Sequence, residues 1–311
     1  MKIKNALIFA TGLLIFMLTS CNVVQKVRFE VLIPADTIVE IQNRNIDIVN
    51  TYFNTNPKPI DDKSYDKWQF DSLFSFACIE TVYSSIKESG RFIPQRVDTA
   101  YNRTKSYNDK IELTHVDLRT SVLSEPVKDY YSGLYKARVR IDYWVKWEIL
   151  NSDGKTVFNK DYTDTVWVEG SKSSFTSLSD LVNIDKATYY ILEKTAIDFA
   201  RKISPHWRGT YRYIFTTGHN DFVMAEHYIS KNEWEKAEQI WLQFEDSNNK
   251  NLSGKANYNL AVKNERDGKL LLALEYAKKA YETHRFAQAR ELVSILRGRI
   301  NNVAKIESQI P

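Results

Sequence analysis

Five histidines, His115, His206, His219, His227 and His284, are the residues from which metal or acid–base chemistry would be built in this sequence. His219 and His227 stand eight residues apart with Glu226 adjacent, and could share one helix face. A metal centre needs three or four ligands with supporting partners, so a surface or interhelix role is expected for them instead. Ser84 and Lys87 have nucleophile–base spacing, but they fall on a predicted helix without companion motifs. Gly154-Lys155-Thr156 repeats the end of a phosphate loop, yet Ile149 stands where its first glycine is required. The sequence contains no dinucleotide-binding glycine fingerprint, no nucleophile elbow and no His-Glu-x-x-His pair. Trp207, Arg208, Tyr211, Arg212 and Tyr213 mix cations with aromatic faces and could stack a sugar or peptide. Their place between two predicted domains favours a packing role. The chain is expected to be no enzyme, with no cofactor and no metal.

The N-terminus carries different chemistry. Lys2 and Lys4 precede the apolar run 6–20, which is too short for a membrane-spanning helix and reads as a secretory signal. Leu18-Thr19-Ser20-Cys21 looks like the bacterial lipobox. That resemblance implies cleavage before Cys21, acylation of its thiol and amino group, and membrane attachment through the lipid. Cys78 is then the one remaining cysteine, expected as a buried small hydrophobe. Asn22 in place of Asp, and Val23-Val24-Gln25-Lys26 in place of an acidic cluster, imply a lipid-anchored protein of the cell outer membrane facing the periplasm. Thr99 is a candidate acceptor for O-glycosylation.

The elements that must position any site follow from composition and periodicity. With 311 residues and 43% hydrophobic content, the chain can bury a core and has room for two domains. A formal charge of +4 is too mild to predict nucleic-acid binding, and 10 glycines argue against a phosphate-cradling loop. Residues 27–33 alternate as a strand, and the apolar set Leu73, Phe76, Ile79, Tyr83 and Ile86 predicts a helix capped at Asp71 or Ser72. Residues 139–149 alternate strictly over six apolar positions, followed by an Asp-Gly turn and a return strand over 156–168. Ile184, Ala187, Ile191, Thr195, Phe199 and Ile203 predict a long helix stopped by Pro205. The expected fold is α+β: an N-terminal sheet domain with packed helices over 21–204, behind a signal over 1–20. A junction over 205–217 leads to an all-α helical repeat domain over 218–311.

The repeat rests on a spacing of 36 residues, which relates Ala225 to Ala261, Ala237 to Ala273 and Trp241 to Ala277. The second copy, 256–261 with Gly268, Ala273, Tyr276 and Ala280, resembles the tetratricopeptide repeat (TPR), although Arg285 replaces the closing proline. Two copies and one further helix fall short of a self-supporting stack, so support must come from the neighbouring domain. Val31-Leu32-Ile33-Pro34-Ala35, Pro205-His206-Trp207 with Arg212-Tyr213, and 234–241 together resemble a family of uncharacterised Bacteroidota lipoproteins with C-terminal TPR repeats.

The resemblance to the TPR implies a partner-binding groove along the first helix of each repeat. Carried onto this sequence, the groove offers His219, Phe222, Glu226, Tyr258, Val262, Glu265 and Arg266. The basic clamp used by some repeats is absent, since Tyr258 and Val262 hold two of its positions. The expected function is a non-enzymatic interaction or assembly module with an unknown envelope protein as partner. The alternative is an enzyme or glycan binder using the α+β domain.

Overall fold

The computed structural model describes residues 24–309 apart from 40, 42, 57, 59–61 and 98–107. The signal segment, Cys21 and Thr99 lie outside the described residues. The chain forms two compact units, one of Ile33–His206 with Lys305–Pro311 and one of Met1–Leu32 with Trp207–Ala304. Strand β1 (Val24–Ile33) alternates as predicted, but it does not join the main sheet. It pairs with β7 (His206–Phe215), the segment expected to be a junction, and this ribbon belongs with the helical unit. The split after His206 lies close to the expected one after 204, but residues 24–32, expected in the sheet domain, belong with the helical unit.

The sheet unit orders its strands β3-β2-β4-β5-β6, with β2 (Asn45–Asn50), β3 (Ile93–Val97), β4 (Asp109–Lys128), β5 (Tyr135–Leu150) and β6 (Thr156–Lys172). β2 lies parallel to both β3 and β4, and β4, β5 and β6 form an antiparallel meander. β5 keeps its strict alternation: Ala137, Val139, Ile141, Tyr143, Val145, Trp147 and Ile149 are buried, and the intervening residues face outward. β4 escaped the sequence reading because a bulge between Leu113 and His115 shifts its phase near its start. After a single turn of helix, α1 (Tyr52–Thr55), helix α2 (Asp62–Ser89) covers the buried face. α2 starts about two and a half turns before its predicted caps. Asp71 is internal and buried, and it accepts the backbone N–H of Leu118, where β4 has run past the end of β2.

The stripe that α2 buries is rotated from the predicted one. Phe74, Cys78, Ile79, Val82 and Ile86 are in the core, whereas Leu73 and Phe76 are exposed. A short α3 (Leu178–Leu181) precedes the predicted long helix. That helix runs as α4 (Ile184–Leu192), a π turn (Glu193–Ile197) and α5 (Asp198–Ile203), burying Ala187, Ile191, Thr195, Phe199 and Ile203. Phe199 stacks on Trp147 with centroids 4.8 Å apart, a contact whose truncation at either ring costs about 3–5 kcal/mol. Arg91, itself buried, donates to the carbonyls of Ile203 and Val39 and so satisfies the end of α5.

In the helical unit, α6 (Asn220–Ser230) pairs with α7 (Trp234–Leu242), and α8 (Lys250–Arg266) with α9 (Leu270–His284); α10 (Ala287–Gln309) follows. Ala225, Ala237, Ala261 and Ala273, the residues that define the 36-residue spacing, are all fully buried. Gly268 turns between α8 and α9 at φ +75°. Arg285 ends α9 at φ +50°, which proline, held near −65°, could not adopt. Among the described residues no helix is long and apolar enough to cross a membrane.

Candidate interaction surface

Helix α8 carries the predicted groove, and it is enclosed on every side. From 252 to 265 all its residues except Lys255 are buried, including Ser253, Asn257, Asn259, Lys263, Asn264 and Glu265. Burying that many polar groups requires a partner for each. Ser253 and Asn257 donate to the Glu245 carbonyl, and Asn264 donates to the Leu260 carbonyl. Lys263 is paired at 2.6 Å with Glu238 and at 2.9 Å with Asp267. Burial opposes the charge of Lys263, but these two bonds hold its ammonium above the usual lysine value.

The remaining side of α8 is covered by β7. The Asn259 side chain receives the Phe215 N–H and donates to the Phe215 carbonyl, both at 2.8 Å, as a neighbouring strand would. The Phe215 ring meets Tyr258 edge-on at 5.2 Å, and Tyr258 leans on Phe286 at 5.6 Å. Burial raises the Tyr258 phenol to about 12. Arg212 clamps both oxygens of Glu265 at 2.7 and 2.8 Å, and Arg299 adds a third bond at 2.9 Å. Val27 of β1 joins the same core. The ribbon thus packs into the same core as the helical hairpins.

The open groove is thus corrected residue by residue. Phe222, Tyr258, Val262 and Glu265 are buried and not available to a partner in this conformation. His219 is exposed and caps α6, its Nδ1 accepting the Asp221 N–H at 3.3 Å. Glu226 is half-buried. Arg266 is half-buried over the Trp234 ring at 4.8 Å and bonded to Asp267 and Asn232, a turn brace. The enclosure was not legible in the sequence of α8, because polar residues on several of its faces read as a solvated helix.

Two other surfaces stand open. On the sheet unit, the outer face of β5 and β6 exposes Trp144 and Trp167 among charged side chains. Trp144 donates to Asp161 at 2.9 Å, and the Arg138 guanidinium lies 4.3 Å from the Trp167 ring centre. A cavity of about 420 Å³ at the end of these strands is lined by Lys136, Arg138 and Glu169, the last ion-paired to Arg138 at 3.1 Å. On the helical unit, two depressions lie between α9 and α10. One, of about 520 Å³, is apolar and lined by Leu271, Leu272 and Val303, and Leu271 is 69% exposed. The other, of about 550 Å³, contains Lys278, Arg290 and Arg297 with a single carboxylate, Glu282. Leu271 and Lys278 are seven residues apart, two turns along one helix face. Among the described residues no group of three or more His, Cys, Asp or Glu could hold a metal ion. Cys78 is a free, fully buried thiol whose pKa is pushed up by burial.

Residues 223–297 match the profile of a domain of unknown function, DUF6340. No curated protein matches the chain. Among solved structures, the chain is similar to a minor lipoprotein from Acinetobacter baumannii at 11% identity, covering 52% of this chain and 87% of that one, with TM-score 0.19. It is similar to a homologue of neuraminyllactose-binding hemagglutinin from Helicobacter pylori at 12% identity, covering 67% and 97%, with TM-score 0.28. A dodecamer of PelC from Paraburkholderia phytofirmans is similar at 13% identity, covering 57% and 98%, with TM-score 0.22. The family match spans α6 to most of α10, so the helical hairpins are where this chain meets an uncharacterised family.

Proposed function

We propose that the chain is a non-enzymatic interaction or assembly protein of the bacterial cell envelope, held in the outer membrane by lipid on Cys21 and facing the periplasm. Its helical hairpins are TPR-like, but their partner face is the α9–α10 seam and not the inner groove. The observation that carries this reading is the α9–α10 seam, which is apolar at one end, with Leu271 69% exposed, and rich in cations further along. Its fitting occupant is an amphipathic helix of an envelope protein, with leucine-like residues over Leu271 and Leu272 and carboxylates toward Lys278, Arg290 and Arg297. A photo-cross-linker at Leu271 in living cells should trap one discrete partner, and Arg290→Glu with Arg297→Glu should abolish the adduct. Undiminished capture in the charge-reversed protein would refute the seam.

A second reading is favoured by Trp144 and Trp167, whose half-exposed rings on the outer sheet face suit glycan stacking. Sedimentation with isolated cell-wall polysaccharide, lost in Trp167→Ala, would favour it.

A further inference from the structure

The two sides of β7 differ. Ile214 is buried and Arg212 is turned to Glu265, whereas Trp207, Tyr211 and Tyr213 are 53%, 52% and 43% exposed. On the paired strand, Lys26, Arg28 and Glu30 are exposed. The Lys26 ammonium stands 3.9 Å from the Tyr211 ring centre. The Arg28 guanidinium lies across Gly209, where a side-chain carbon would come within 3.0 Å of it. The outer face of the ribbon therefore interleaves three amphipathic rings with two cations and one carboxylate, Glu30, and Gly209 leaves the room that Arg28 occupies.

Tryptophan and tyrosine at headgroup level, with lysine and arginine reaching phosphates, are the chemistry of a membrane interface. Rings of this kind can also stack on a protein or a sugar, and the tether decides between these occupants. Only two residues, Asn22 and Val23, separate Cys21 from Val24, so the start of β1 lies at most about 11 Å from the lipidated residue. Lys26 is two residues further, about 7 Å along the strand. Acyl chains hold Cys21 at the bilayer surface, and there is no spacer long enough to carry the ribbon away from it.

We infer that the β1–β7 ribbon lies on the phospholipid surface, with Trp207, Tyr211 and Tyr213 in the headgroup layer and Lys26 and Arg28 against anionic phosphates. This rests on the lipid anchor proposed above. It makes the helical unit a membrane-apposed body, because the strand that fills its inner face is the same strand that meets the lipid.

The test uses the acylated full chain in vesicles of phosphatidylethanolamine and phosphatidylglycerol whose acyl chains are brominated near the headgroup. Bromine should quench part of the tryptophan emission of the wild type, up to the share of one among seven tryptophans. Trp207→Phe should lose that part, and Lys26→Gln with Arg28→Gln should reduce it. Equal quenching in wild type and Trp207→Phe overturns the inference, as does a protein cross-linked to the ribbon with Trp207 unquenched. Incorporation of a palmitate analogue, measured on the same preparations, separates the two failures. Label present with equal quenching sinks the ribbon alone, whereas no label removes the anchor and the inference together.

Discussion

The contact between β7 and α8 can be tested at Arg212. Replacement by methionine keeps much of the aliphatic length and deletes the two charge-assisted bonds to Glu265. That carboxylate is 0% exposed, and its remaining cation is Arg299 at 2.9 Å. Removing one partner of a buried pair costs about 3–5 kcal/mol, mostly through the charge left behind. Arg299 still holds one oxygen, so the lower end, about 3 kcal/mol, is expected. With a urea slope of about 1.5 kcal/mol/M, the midpoint of the helical transition, followed by circular dichroism at 222 nm, should fall by about 2 M. Adding Glu265→Met to Arg212→Met removes the orphaned carboxylate and should recover part of the loss, a positive coupling in the double-mutant cycle. A single-variant midpoint within about 0.3 M of wild type would show that β7 does not hold α8, and the inner face would have to be counted as accessible.

Asn259→Leu should cost about 2–3 kcal/mol in the same assay, because the buried N–H and carbonyl of Phe215 both lose their partner. Gly170→Ala places a carbon 1.7 Å from the Leu181 carbonyl oxygen, a backbone atom that cannot swing aside. A loss above about 4 kcal/mol is expected, seen as insoluble expression, and a soluble variant melting like wild type would contradict the packing of α3 against β6. His115 gives the sheet unit a pH dependence: burial holds its imidazole below the ordinary 6.5, so the unfolded chain takes up the proton first as pH falls. Stability should be full above 6.5 and decline below it, and His115→Gln should flatten that limb of a urea-midpoint profile.

Much of the fold is legible in local periodicity. The alternation of 139–149 is a statement about one strand with one buried face, and β5 shows it. The steps of three and four from Ile184 to Ile203 describe one helical stripe, which survives a π turn because five residues still return near the same face. The 36-residue spacing picks out four alanines that let helices approach, and all four are buried. The misreadings have local causes as well. A bulge hid β4. Leu73 and Phe76 pulled the predicted stripe of α2 off by part of a turn, although the stripe through Phe74, Cys78 and Val82 buries more polar neighbours, Asp71 and Ser75 among them.

The candidate site was harder to read, for a different reason. By itself the sequence determined that 27–33 is a strand, that 207–213 mixes rings with cations, and that Tyr258, Val262 and Glu265 share a helix that must bury something. What only the tertiary structure decided is that the strand and the aromatic segment, nearly two hundred residues apart, pair with each other and cover that helix. Periodicity reports that a face is covered but is silent on what covers it. Asn259 matched to one backbone pair, and Glu265 matched to two distant arginines, acquire their meaning only when non-local segments meet.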